Sequence, residues 1–421
     1  MGTKEAGDPA VGLRGAGMWI WHDRPLRERS DMGLFCGILT PPAAAVTVDL
    51  HASADNRYRL YVDAGRGPER LGCGPARGNL EHTSLDPYTV RVHPGRSVRV
   101  WAAVRFLVGR PEQPIAEAHG HRPGFLLLAA FRDRAGRVVG AAGSGRAWRA
   151  CATHAIRPLL EPSSIFWMGA TEEHSAAEWP EDWLAPGGPR GRAWRPAVER
   201  SRPYPKGLPP YASDEHWLVP RELPRMEERP ARFRRAAPAA SASRAQLPRW
   251  PVRVRPGGTL SLLFDAGETV CAYPVLRVRG RGCTAALTYA EVLKRRTAAG
   301  AEKSFRLADG FAADGPRDRF ETGAVDRAFC FETFHWRSFR FVRLDVTAGP
   351  GGAAVLDLSM VRTGYPWKRA QTFDVRGPAA AVARRIVDAS WRTIRCCTWE
   401  TYMDCRSTSS SSTSATPACR C

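Results

Sequence analysis

The feature that most constrains this chain is a two-residue alternation of apolar and polar side chains, repeated in short runs and cut by turn residues. VTVDLHASADNRYRLYVDAG (47–66) and YTVRVHPGRSVRVWAAVRF (88–106) both show it. Successive side chains of a strand point to opposite faces, so such runs bury one face and read as antiparallel strands. GFLLLAAFRDRAGRVVGAAG (124–143) continues the pattern, with Asp133-Arg134-Ala135-Gly136 suited to a hairpin loop. Residues 17–155 are therefore expected to form one β-sandwich, behind a disordered stretch at 1–16. At ~150 residues per domain, 421 residues make two or three domains. A hydrophobic content of 43% is enough to fill their cores.

From 156 to 245 the texture changes to Pro, Arg and Trp, as in EHSAAEWPEDWLAPGGPRGRAWRP. This stretch reads as a long connection, and RELPRMEERPARFRRAAPAASASRAQ at its end shows little capacity for a core. The acidic pairs Glu172-Glu173 and Glu227-Glu228 fall within it and are expected to be solvated. A second β-rich block opens with PVRVRPGGTLSLLFD (251–265), where Pro-Gly-Gly marks a turn, and runs through FHWRSFRFVRLDVTAG (334–349). A second sandwich is expected over 246–365. After Tyr365-Pro366, Val382, Ile386, Ala389, Ile394 and Cys397 fall at helical spacing, with Pro378 acceptable in a first turn. The fold class is thus mainly β, two jelly-roll-like sandwiches followed by one or two helices.

A net charge of +20 would ordinarily point to nucleic acid or an anionic membrane. Only five of the 62 basic residues are lysine, and the arginines are spread along the whole chain beside abundant Ala, Gly and Pro. That is the composition of GC-rich coding sequence rather than of a clustered nucleic-acid face, so neither partner is expected. No run approaches the ~18 apolar residues of a membrane span, and the first residues lack the apolar core of a signal peptide. A cytoplasmic chain is expected, its eleven scattered cysteines reduced and without metal-ligand spacing. No cofactor or metal is implied.

Trp19-Ile20-Trp21, the stretch ADNRYRLYVDAGRGPERLGCGPARGNLEH, HRPGFLL, GETVCAYPVLRVRG, TYAEVL, FHWRSFRFVRL and ETYMDC, in this order, resemble the amino-terminal part of bacterial α-L-rhamnosidases. The resemblance covers nearly everything except the 156–220 stretch and the last sixteen residues. It implies β-sandwich modules followed by an (α/α)6 barrel, begun here at 366–404, in which an inverting carboxylate pair hydrolyses terminal α-L-rhamnosides. It also implies rhamnose-containing glycans or glycosides as partners, and a sugar-binding role for Asp404. Inverting hydrolysis needs two carboxyl groups roughly 6.5–9.5 Å apart. The family motif runs Asp-Cys-Pro with Glu five and Asp twelve residues after the first Asp; here Asp404-Cys405 starts it, but positions 409 and 416 are Ser and Thr.

The tail CRSTSSSSTSATPACRC (405–421) can be back-translated so that one added C after the first codon yields CPFYEQLQYVGDARLQV, which restores the motif. The expectation is a rhamnosidase reading frame shifted after Cys405, with a disordered tail and no hydrolase activity of its own. A Ser/Thr-rich disordered tail is the alternative.

A reading from a different class is a standalone carbohydrate-binding protein. Within 57–63, Tyr58, Leu60 and Val62 share one strand face and Arg57, Arg59, Tyr61 and Asp63 the other. Asp55, Asn56, Arg57 and Tyr61, with Arg77, Asn79 and His82, either bind sugar hydroxyls or only shape a turn and pack the sandwich rim. Trp19 and Trp21, two apart, are placed on one face as a sugar platform or, by the plainer reading, a core anchor. His335 is expected to be a satisfied structural histidine.

Overall fold

A computed structural model describes residues 12–13, 15–25, 30–76, 82–107, 122–159, 171–204, 217–241, 245–298, 300–370 and 372–402. The 1–11 part of the amino-terminal stretch and the 405–421 tail lie outside the described residues.

The alternating runs form two facing sheets. The seven-stranded sheet runs Val198–Glu199, Ile20–Trp21, Gly124–Arg132, Thr47–Asp55, His82–Arg91 and Trp217–Pro220, with Val138–Gly143 also paired to Gly124–Arg132. The six-stranded sheet runs Arg195–Pro196, Arg149–Ala152, Ser30–Leu39, Val98–Leu107, Arg57–Asp63 and Glu69–Gly74. Leu50, Tyr58, Leu60, Val100, Phe125 and Leu127 fill the space between them. The chain crosses from one sheet to the other at Asn56, between Thr47–Asp55 and Arg57–Asp63. The expected hairpin is present: the Asp133 carboxylate accepts the Ala135 and Arg137 N–H groups, each at 2.9 Å, and Gly136 takes φ 78°.

The second sandwich is built on the 22-residue strand Thr259–Gly280. Its ladder with Arg337–Thr347 shifts register between Asp265 and Val270. The first half pairs with Arg235–Pro238 and the second with Arg327–Glu332 and Ala353–Gly364, so the sheet folds over on itself. Phe264, Leu276, Leu287, Phe339, Val342 and Leu344 form the core.

The 156–245 stretch, expected to be a connection, supplies strands to both sandwiches. Ile156–Leu159 and Thr171–Ser175 extend the second sheet, the latter by a parallel pairing with Arg317–Glu321. Trp217–Pro220 runs parallel to His82–Arg91 in the first. The segment credited with little core capacity buries Phe233, Ala236 and Ala237. These strands are two to five residues long and rich in Pro and Arg, so their alternation is too short to register as a period. Trp179, Trp183 and Trp194 lie over Met32, Leu34 and Trp101 on the outer face of the six-stranded sheet.

The helix Ala380–Cys397 buries none of its residues. Val382, Ile386 and Ile394 remain exposed, and contact with the second sandwich is made at the carboxy-terminal end, where the Cys396 thiol meets the Thr269 carbonyl. Among the described residues, no helix is long and apolar enough to cross a membrane, and no group of three or more His, Cys, Asp or Glu side chains could hold a metal ion.

Candidate functional site

The strand Arg57–Asp63 divides its side chains as its alternation predicts: Tyr58, Leu60 and Val62 enter the core. The opposite row faces protein. Arg57 donates to the Pro75 carbonyl at 2.8 Å and to Glu400 Oε2 at 2.9 Å, its guanidinium lying 4.6 Å over the Trp399 ring. Arg59 donates to the Thr333 carbonyl and to Glu332, 4.8 Å over the Phe334 ring. Tyr61 meets Trp183 edge-on at 6.0 Å. Of the row expected to reach a sugar, Arg57 and Arg59 are thus the seam against which the Trp399-Glu400 segment and the second sandwich pack, Tyr61 lies against Trp183, and Asp63 accepts the Gly65 and Gly67 N–H groups of its own turn.

The same holds for the neighbouring candidates. Asn56 Oδ1 accepts the Leu107 N–H, and its Nδ2 donates to Asp55 Oδ1 at 2.7 Å. Burial pushes the Asp55 carboxyl up to about 7, against the Arg122 N–H and Asn56 bonds that favour its charge. His82 is half-buried beside Trp217, ring centroids 5.4 Å apart. Arg77, Asn79 and Asp404 lie outside the described residues. Trp19 and Trp21 do not share a face: Trp21 is in the core between the sheets, whereas Trp19 packs on Leu126, Leu128 and Leu218 outside. His335 is buried, stacked on Trp336 with centroids 5.0 Å apart.

A cavity of about 150 Å³ opens at the seam, lined among others by Arg57, Tyr88, Arg221, Arg225, Tyr273 and Glu400. Its most buried acid is Glu400, held by Arg57 and, at 3.8 Å, by Arg221. Arg221 also pairs with Asp86 at 3.2 Å, and Asp86 accepts the Tyr58 hydroxyl at 2.9 Å. Arg70 bridges Glu332, at 2.6 Å, and Glu228. Burial alone would push the Glu332 carboxyl up; Arg59 and Arg70 outweigh it and hold the group below its usual range.

Glu172, expected to be solvated, is fully buried. Its carboxylate accepts Arg105 Nη1 at 2.8 Å, the Phe334 and His335 N–H groups at 2.7 and 3.0 Å, and faces His174 Nε2 at 2.8 Å. Arg337 stands 3.5 Å away and grips Asp318 with two bonds, at 2.7 and 2.9 Å; Tyr289 donates to the same carboxylate at 2.7 Å. Burial works to raise the Glu172 carboxyl, but Arg105, His174 and Arg337 together hold it well below the ordinary carboxylate range. Glu228 is likewise engaged, by Arg70, and Glu227 by Arg229 at 2.9 Å. Sequence reasoning missed Glu172, Arg105, Arg221 and Glu400; the only signal was that Glu400 sits inside ETYMDC.

No family model matches the sequence, and no curated protein matches it. Solved structures do. A GH78 family rhamnosidase of Bacillus sp. GL1 matches with a TM-score of 0.68 at 14% identity, over 93% of this chain and 59% of that one. A Streptomyces avermitilis α-L-rhamnosidase complexed with L-rhamnose matches at 0.57 and 18%, over 89% of this chain and 32% of its own. An Aspergillus terreus α-L-rhamnosidase gives 0.57 and 16%, over 93% and 40%. The chain therefore has the fold of part of these enzymes, and spans between about a third and three-fifths of their length.

Proposed function

We propose that this chain is the sandwich part of an α-L-rhamnosidase-type glycoside hydrolase, and that its task is to anchor Glu400, the first residue of the ETYMD sequence with which the family's catalytic motif opens. The observation that carries this reading is Glu400. A buried carboxylate is costly unless paired, and this one is gripped by two arginines of the sandwich side, Arg57 and Arg221. The anchor lies four residues before Asp404, the group that the family resemblance assigns to the sugar.

The described residues themselves are supports rather than catalysts. An inverting hydrolase needs one carboxylic acid able to give up a proton and one carboxylate able to activate water. Glu172 and Glu332 are held ionised by arginines, and Glu400 and Asp318 are closed inside ion pairs. The purified chain is expected to release no p-nitrophenol from p-nitrophenyl α-L-rhamnoside above a blank. Turnover that disappears in Glu400→Gln would overturn the reading of Glu400 as an anchor and make it a reacting group.

A further inference from the structure

A groove of about 540 Å³, within the range of ligand clefts, lies at the edge of the tryptophan-covered part of the six-stranded sheet. It is lined by Cys36–Leu39, of which Cys36 is buried in the cluster with Trp194 and Ile38 is 56% exposed. The ladders set Arg149 opposite Cys36 and Arg99 opposite Ile38, and directly opposed residues share a face. Two arginines therefore rise on either side of this strand. Arg99 donates to the Pro186 carbonyl and Arg149 to the Trp194 carbonyl.

Neither makes an ion pair with an acid among the described residues. The groove's glutamate, Glu199, is taken by Arg146 at 3.4 Å. The nearby Asp182 is occupied by the Gly191 N–H at 2.7 Å and the Trp194 indole at 2.9 Å. Both guanidiniums act on the Cys36 thiol, pulling against the burial that pushes it up to about 12. Two cations thus stand beside one small floor without an ion pair, although the Asp182 carboxylate acts on the same thiol from nearby. Gly187 and Gly188 line the same groove, and Gly188 brings the turn so close to the Arg99 guanidinium that a Cβ there would lie 3.0 Å from its Nε. Gly37 in the floor cannot be larger, because a Cβ there would meet the Trp148 ring at 2.1 Å.

We propose that this groove binds an anionic saccharide, a sugar bearing a carboxylate, with Arg99 and Arg149 taking the carboxylate. Planar guanidiniums match carboxylate geometry, and the half-buried Arg99 gains more from such a partner than an exposed cation such as Arg149 does. The saccharide half of the proposal rests on the glycosidase reading above; the anionic half rests on the two arginines alone.

The test is calorimetric titration of the full chain with a uronic-acid disaccharide, with the same disaccharide after reduction of its carboxyl to the alcohol, and with inorganic sulfate. The uronate is expected to bind, the neutral sugar not, and Arg149→Gln to weaken the uronate by about tenfold. Arg149 is exposed, so this variant keeps the fold even where Arg99→Gln loosens the 182–194 turn; tryptophan fluorescence and the melting midpoint verify it. Equal binding of both sugars, or uronate binding unchanged in Arg149→Gln and Arg99→Gln, overturns the site. Sulfate binding as tightly as the uronate overturns its saccharide half, as does displacement of the uronate by a short DNA duplex, which marks a general polyanion patch. None of these outcomes touches the rhamnosidase reading, which stands or falls on Glu400 and the rhamnoside assay.

Discussion

The Glu400 carboxylate lies 2.9 Å from the Arg57 guanidinium although 343 residues separate them along the chain. Both side chains are buried, so each is the other's replacement for water. Replacing Glu400 by Ala leaves Arg57 and Arg221 facing each other without their shared anion. Breaking a buried pair from one side costs about 3–5 kcal/mol; Arg57 keeps the Pro75 carbonyl and Arg221 keeps Asp86, so the lower end of that range is expected. Denaturant unfolding of the single and double variants checks it, and Arg57→Met with Glu400→Ala should cost less than the sum of the two.

Glu172→Gln should destabilise the protein more than any change at the surface pairs, because one neutral amide cannot answer Arg105, Arg337 and two backbone N–H groups together. A loss of about 3–5 kcal/mol is expected, with the two sandwiches loosening from one another. Arg295→Gln, which removes an exposed pair with Glu302, serves as the comparison and should change stability by less than about 1 kcal/mol.

The pH dependence has two opposed limbs. Glu172 and Glu332 have folded-state values below their unfolded ones, so their stabilisation is present above about 4.5 and is lost as acid protonates them. Asp55 goes the other way: its value rises from 3.8 to about 7 on folding, so the native state holds a proton that the unfolded chain has lost, and stability falls as pH rises from about 4 to about 7. Asp55→Asn removes that limb. At pH 8 the variant should be the more stable protein, by at most about 4 kcal/mol. Melting midpoints of both proteins from pH 4 to 8 test this, and parallel curves would count against it.

Limited proteolysis should cut first in 366–397, where the helix shows its apolar residues to solvent and is fixed mainly at one end. The strands Glu227–Ala231 and Arg235–Pro238 are paired within the second sheet and should resist as long as Thr259–Gly280 does. Earlier cleavage at 227–238 than in the helix would show these strands to be loosely held.

What the sequence made legible is what local periodicity carries. Tyr58, Leu60 and Val62 face the core because alternation requires it, and the helix follows from its apolar spacing. The seam was illegible for an equally physical reason. Glu172 meets Arg105 across 67 residues and Phe334 across 162, and no local pattern distinguishes a carboxylate waiting for such partners from one in water. Alternation likewise told which side of the strand Arg57 and Arg59 occupy, but not that distant segments of the chain would cover it.

The strands contributed by 156–238 bear on how the protein is made. Trp217–Pro220 completes the first sandwich and Thr171–Ser175 docks on Arg317–Glu321 of the second. On the ribosome, the first sandwich therefore stays unfinished until residue 220 has emerged, and by then Glu172 has been synthesised 165 residues ahead of Arg337, with which it shares the seam. A nascent chain with an unfinished sheet edge and an unclaimed acid is the species most exposed to mispairing. Neither sandwich can be lifted out as a unit by cutting at 155, because each takes strands from the stretch that follows.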